Sequence, residues 1–96
     1  MDVITLDVLV VDDEPGMRLG VMRVLRDFAV CIGDLNSEVN FSVSQAQSAE
    51  QALDILDAAP PHILLLDQKL PGMTGIELLE KIEPRKLDML TIMITA

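Results

Sequence analysis

Four residues have the type and placement to do chemistry together. Asp12 and Asp13 stand directly after the apolar run Val8 to Val11, Asp67 directly after Ile63 to Leu66, and Thr95 directly after Ile92 to Ile94 at the end of the last apolar segment. If each run is a strand of a parallel sheet, these residues sit just past the carboxyl ends of the strands, where open α/β sheets place their ligand sites. Three carboxylates and a hydroxyl then converge. Clustered carboxylates repel one another unless a cation neutralises them, and hard oxygen ligands in an open site suit magnesium. Magnesium in such a place screens the charge of a phosphoryl group held against a carboxylate oxygen, which makes Asp67 a candidate nucleophile.

The elements around these residues follow from the hydrophobic pattern. Asp7 to Val11 is a continuous, β-branched apolar run, as expected of a strand buried on both faces. Pro15 suits the first position of a helix, and Met17, Val21, Val24, Leu25 and Phe28 recur on one helical face. Ala29 to Asn40, with Gly33, Asp34, Asn36 and Ser37, reads as a connecting loop. Phe41 to Ala46 alternates and predicts a strand with one wetter face, near a sheet edge. Ser48 with Gln51 forms a capping box for a helix over 49–58, which Pro60 and Pro61 end. Ile63 to Leu66 predicts a wholly apolar strand. Thr74 with Glu77 caps a third helix carrying Leu78, Leu79 and Ile82, closed by Pro84. Leu90 to Ala96 predicts a fourth strand whose apolar character implies neighbours on both sides. Alternating strands and helices with right-handed crossovers give one doubly wound α/β domain over residues 1–96, with a parallel sheet of four strands and three helices.

Composition narrows the function. Sixteen acidic against seven basic residues give a net charge of −9, so the domain repels a phosphate backbone and direct nucleic-acid binding by it is not expected. No apolar run approaches the ~18 residues of a membrane helix. The amino terminus carries Asp2 and Asp7 and lacks the basic and cleavage regions of a secretory leader, and the one cysteine, Cys31, suits a reducing compartment; both point to the cytoplasm. Cys31 and the six methionines read as apolar filler. His62, with no nucleophile or metal partner nearby in sequence, reads as structural.

VVDDEP at Val10 to Pro15, LLLDQKLPGMTGIELL at Leu64 to Leu79 and IMITA at Ile92 to Ala96 together resemble the response-regulator receiver family of two-component signalling, and the resemblance covers nearly the whole chain. It implies a flavodoxin-like receiver fold lacking its last helix-strand-helix portion. It further implies Asp67 as phosphoacceptor, Asp13 as a direct magnesium ligand, Asp12 as an acidic partner acting through water, and Lys69 as donor of a backbone carbonyl to the metal. By the same resemblance Thr95 is the switch hydroxyl and Ala96 the small residue that leaves the site accessible. A histidine kinase or phosphotransfer protein is the implied phosphoryl source, and the domain is an acceptor with at most slow loss of its own phosphoryl group, not a metabolic enzyme. The family lysine that follows its fifth strand has no counterpart among Lys69, Lys81 and Lys86.

Each residue has a plainer role available. Asp12, Asp13 and Glu14 suit the positive end of a helix, and Asp67 suits a strand-end turn. Order and spacing of all three motifs together favour the signalling assignment. The alternative is a degenerate receiver that binds or oligomerises without phosphorylation. An aspartyl-phosphate phosphatase wants a second acid two residues after the nucleophile, where Lys69 stands, and a dinucleotide or P-loop site wants a glycine-rich loop after the first strand, where acids stand. An apolar fourth strand left at a sheet edge predicts self-association through that edge.

Overall fold

The computed structural model describes residues 2–32 and 37–94. The elements are β1 (Asp2–Val11), α1 (Pro15–Arg26), β2 (Ala29–Ile32), β3 (Ser37–Ala46), α2 (Ala49–Ala58), β4 (Ile63–Asp67), α3 (Gly75–Ile82), a 3₁₀ turn (Glu83–Arg85) and β5 (Leu90–Ile94). One sheet runs β2-β3-β1-β4-β5. Four of these strands are parallel neighbours, and β2 pairs antiparallel with β3. The doubly wound α/β arrangement, with four parallel strands and three α-helices, is the predicted one.

Three boundaries differ from the sequence reading. The segment read as a loop from Ala29 contains β2, which pairs Ala29 with Asn40 through Ile32 with Ser37. The next strand therefore begins at Ser37 rather than Phe41, and it lies one place in from the edge. β1 likewise begins at Asp2, and all ten of its residues pair with β3, from Asp2 with Ser37 to Val11 with Ala46. Neither extension announces itself by apolar alternation, because both are ladder pairings outside the core.

The core explains why β1 is central. Only Val8 to Val11 pair with β4 as well as β3, and these four are at most 3% exposed. Leu9 and Val11 join Ala46, Leu64 and Leu66 beneath Ala49, Ala52, Leu56 and Leu78 of α2 and α3, a cluster in which every one of these residues is almost fully buried. Among the described residues the opposite sheet face is covered by α1 alone, and no residue of α1 is buried. Period-two alternation puts Leu90, Ile92 and Ile94 on that second face beside Ile63 and Leu65, and the three β5 residues remain 59%, 44% and 38% exposed. Among the described residues β5 pairs only with β4, whereas its composition predicts neighbours on both sides.

The ends of the elements follow local chemistry. Pro15 opens α1. Thr74 and Glu77 form the full capping box of α3. Ser48 accepts from the Gln51 N–H at 3.2 Å, but the Gln51 amide oxygen accepts from the Gln47 N–H at 2.8 Å, so this capping box closes one residue early. His62 is structural, as read: its Nδ1 accepts the Asp7 N–H at 2.8 Å, while its own N–H donates to the Asp7 carbonyl. The Asp7 carboxylate lies 3.9 Å from the same nitrogen. Arg85 pairs with Asp57 at 2.7 Å, tying the 3₁₀ turn to α2. That hydrogen bond holds the Asp57 carboxyl below its ordinary value.

The unequal covering of the two faces has a measurable result. Leu64→Ala should cost about 2–5 kcal/mol of unfolding free energy, as a fully buried leucine does. Ile92→Ala, on the open face, should cost less than about 1 kcal/mol. Urea unfolding followed by far-ultraviolet circular dichroism separates the two, and equal losses would show that the α1 side is covered in solution.

Candidate functional site

Strand register brings the acids together. Val11 and Leu66 are ladder partners, so Asp12 and Asp67 leave the sheet side by side, and Asp13 follows in the turn toward α1. Carboxylate oxygens of Asp12, Asp13 and Asp67 all lie within 4.8 Å of one another; Asp12 and Asp67 are half-buried and Asp13 is exposed. The two strand-end acids are set by the same device. The Asp12 Oδ1 accepts the Glu14 N–H at 2.9 Å, and the Asp67 Oδ1 accepts the Lys69 N–H at 3.2 Å. Each is an Asx turn, in which a carboxylate bonds the backbone two residues on and fixes where the chain departs. No donor among the described residues reaches the second oxygen of either group.

Three further bonds hold the Asp12 corner. Its N–H donates to the Ala46 carbonyl of β3 at 3.1 Å. Its carbonyl accepts from Arg18 Nη1 at 2.6 Å, and the Arg18 Nε donates to the Gln45 Oε1 at 3.0 Å. The Asp67 corner is built against α3. Gly75 donates its N–H to the Gln68 carbonyl at 2.9 Å, and the Gln68 Oε1 accepts the Ile76 N–H at 3.1 Å. A side chain at position 75 has no room: a Cβ there would lie 2.9 Å from both the Asp67 carbonyl oxygen and the Gln68 Oε1. Gly72, at φ +77°, takes the left-handed turn that lets the chain double back after Pro71.

Two unit charges at about 4 Å repel by roughly 1 kcal/mol in bulk water and about 4 kcal/mol at an effective dielectric constant of 20. Three carboxylates gathered this closely are thus a standing cost, removed by a cation. Magnesium demands hard oxygens in octahedral array at about 2.0–2.1 Å. The donor set fits: it is all carboxylate, nearly close enough for one ion, and two of its members are already oriented. The structure gathers Asp12, Asp13 and Asp67 as the sequence predicts, and puts the Lys69 N–H on the Asp67 carboxylate. Thr95 and Ala96 lie outside the described residues. Gln68 and Arg18 were not foreseen. The one signal for Arg18 was its position, since a cation in the first turn of a helix opposes the macrodipole.

The fold is a doubly wound α/β domain with three carboxylates gathered at its strand ends. A family model described as "Response regulator receiver domain" matches residues 8–96. The chain is 32% identical over 93% of its length to sporulation initiation phosphotransferase F of Bacillus subtilis, covering 63% of that protein. It is 29% identical over 83% of its length to the nitrate/nitrite response regulator protein NarL of Escherichia coli, covering 33% of it. The chain therefore spans between a third and two thirds of these relatives. Among solved structures it resembles the N-terminal domain of a response regulator receiver protein from Methanoculleus marisnigri, with a TM-score of 0.77, 32% identity, and 95% of this chain and 67% of that one covered. The signal receiver domain of a response regulator NarL from Mycobacterium tuberculosis gives 0.74, at 30% identity over 97% of this chain and 68% of that one. The chain belongs to the response regulator receiver domain family.

Gly75→Ala should push the Asp67 carbonyl and Gln68 aside, costing about 1–3 kcal/mol and shifting the backbone amide resonances of Gln68 and Lys69. Gly16→Ala, where an added Cβ meets nothing within 4 Å, should be neutral or stabilising by up to about 1 kcal/mol. Equal behaviour of the two variants would mean that the loop after Asp67 is not packed on α3 as described.

Proposed function

We propose that this domain accepts a phosphoryl group on Asp67 from a phosphohistidine of a histidine kinase or a phosphotransfer protein, in the cytoplasm. The observation that carries the reading is the gathering of three carboxylates at the ends of two adjacent strands, with the Asp67 Oδ1 fixed by the Lys69 N–H. The second oxygen of Asp67 attacks phosphorus, an O–P bond forms, the N–P bond of the donor breaks, and the freed imidazole nitrogen takes up a proton. Asp12, Asp13 and Asp67, with the backbone carbonyl of Lys69, would hold magnesium. When bound, that ion supplies the positive charge that offsets the carboxylates and the equatorial phosphoryl oxygens.

The half-exposed Asp67 carboxylate at the end of β4, held by a short Asx turn, supports access by a partner's side chain. Thr95, one residue past β5, is positioned by sequence to present its hydroxyl to the new phosphoryl oxygens and so bias the surrounding surface between two arrangements. The domain is an acceptor and not a catalyst of turnover; Lys69 stands where an aspartyl-phosphate phosphatase would have its second acid. A charge of −9 argues against nucleic acid as a direct partner of this domain. No helix among the described residues is long and apolar enough to cross a membrane. Among the described residues β5 pairs only with β4, and this edge with its exposed Leu90, Ile92 and Ile94 supports self-association through that strand.

Intact mass after incubation with a small-molecule phosphodonor and magnesium should show one added phosphoryl group, absent in Asp67→Asn. A folded chain that gains nothing, or a gain that persists in the variant, would overturn Asp67 as acceptor. Sedimentation equilibrium should show dimers or larger species at high concentration. A monomer throughout would remove the self-association reading.

A further inference from the structure

The acid cluster is fixed from two directions, and one of them is a cation. Arg18 rises from the first turn of α1 and is less exposed than Arg23 or Arg26 further along the helix. Its guanidinium spans two strands, donating to the Asp12 carbonyl at the end of β1 and to the Gln45 amide oxygen near the end of β3. With the Asp12 N–H on Ala46 and the Asp12 Oδ1 on the Glu14 N–H, every polar group of Asp12 except one carboxylate oxygen is engaged. The peptide that links Asp12 to Asp13 is therefore oriented by Arg18, and Asp13 follows directly from that peptide.

We propose that Arg18 is a positioning residue of the acid site, holding the Asp12–Asp13 peptide so that the carboxylates face one cation. The inference rests on the magnesium reading given above. It makes a prediction whose sign separates it from simple electrostatics. A guanidinium near a cation site repels the cation, so by charge alone its removal should tighten magnesium binding. If Arg18 instead organises the ligands, its removal should weaken binding, as loss of a residue that orients metal ligands does.

Magnesium affinity of the full chain, measured by isothermal titration calorimetry at fixed ionic strength, decides between them, with thermal unfolding in the absence of metal recorded for each variant. Arg18→Met should weaken binding roughly tenfold, beyond anything its change in unfolding temperature accounts for. Arg18→Lys, which keeps one donor for the Asp12 carbonyl but cannot also bridge to Gln45, should recover part of the loss. Arg23→Met removes the same charge from the same helix without touching the acid loop, and should leave affinity unchanged or slightly tighter. If Arg18→Met does not fold, Gln45→Ala tests the same clamp from its far side and should weaken binding several-fold. Unaltered or tighter binding in the folded Arg18→Met chain, or in Gln45→Ala where that stands in for it, overturns the proposal while leaving the magnesium reading intact. Absence of magnesium binding in the unaltered chain overturns both.

Discussion

Strand β1 belongs to two ladders of unequal length, and the rest of the molecule is arranged around that inequality. Ten residues pair with β3, but only Val8 to Val11 also pair with β4. Those four are the ones buried on both faces, so they must be apolar, and they fix the register of the parallel sheet because a shift by one residue would turn alternate side chains to the wrong face. Register in turn decides the chemistry. With Val11 opposite Leu66, the first polar residue after each strand emerges at the same level, and two carboxylates become neighbours without any contact between them having selected it. The repulsion this creates is carried by the packing of Leu9, Val11, Leu64 and Leu66, each at most 1% exposed.

Physical chemistry accounts for what the sequence revealed and what it hid. Runs buried on both faces, such as Val8 to Val11 and Ile63 to Leu66, must be continuously apolar, and the acids that follow them cannot be core. The strand-end site was therefore legible from residue type alone. The capping pair Thr74 and Glu77 was equally legible, because it acts within one turn. β2 and the outer half of β1 were not. They are held by backbone ladder bonds outside the core, where side-chain pattern carries little information, and the glycine, aspartate and asparagine around residues 33–36 outweighed the short run Ala29 to Ile32. Arg18 and Gln68 were missed for a related reason: each reaches a backbone group across a strand-to-helix turn, six residues back to Asp12 for one and eight residues on to Ile76 for the other. Pairings of that kind follow from the fold and cannot precede it.

The two corners of the acid site solve one problem with different materials. At β4 the Asp67 loop is held by close packing. Gly75 lets the first turn of α3 come within van der Waals distance of the Asp67 carbonyl, and Gln68 returns a hydrogen bond to the same turn. At β1 the loop is held by a long side chain reaching back from α1, a helix without a single buried residue. The difference follows from the faces. α2 and α3 close over the main core and can act as a rigid wall for Asp67. α1 lies alone on the open face and has little packing to lend, so the Asp12 corner depends on directed bonds from Arg18 and Gln45. Packing tolerates loss of charge but not of volume, whereas a hydrogen-bonded clamp tolerates loss of volume but not of donors. The Asp67 corner and the Asp12 corner are therefore expected to fail under different substitutions, even though their carboxylates are close neighbours.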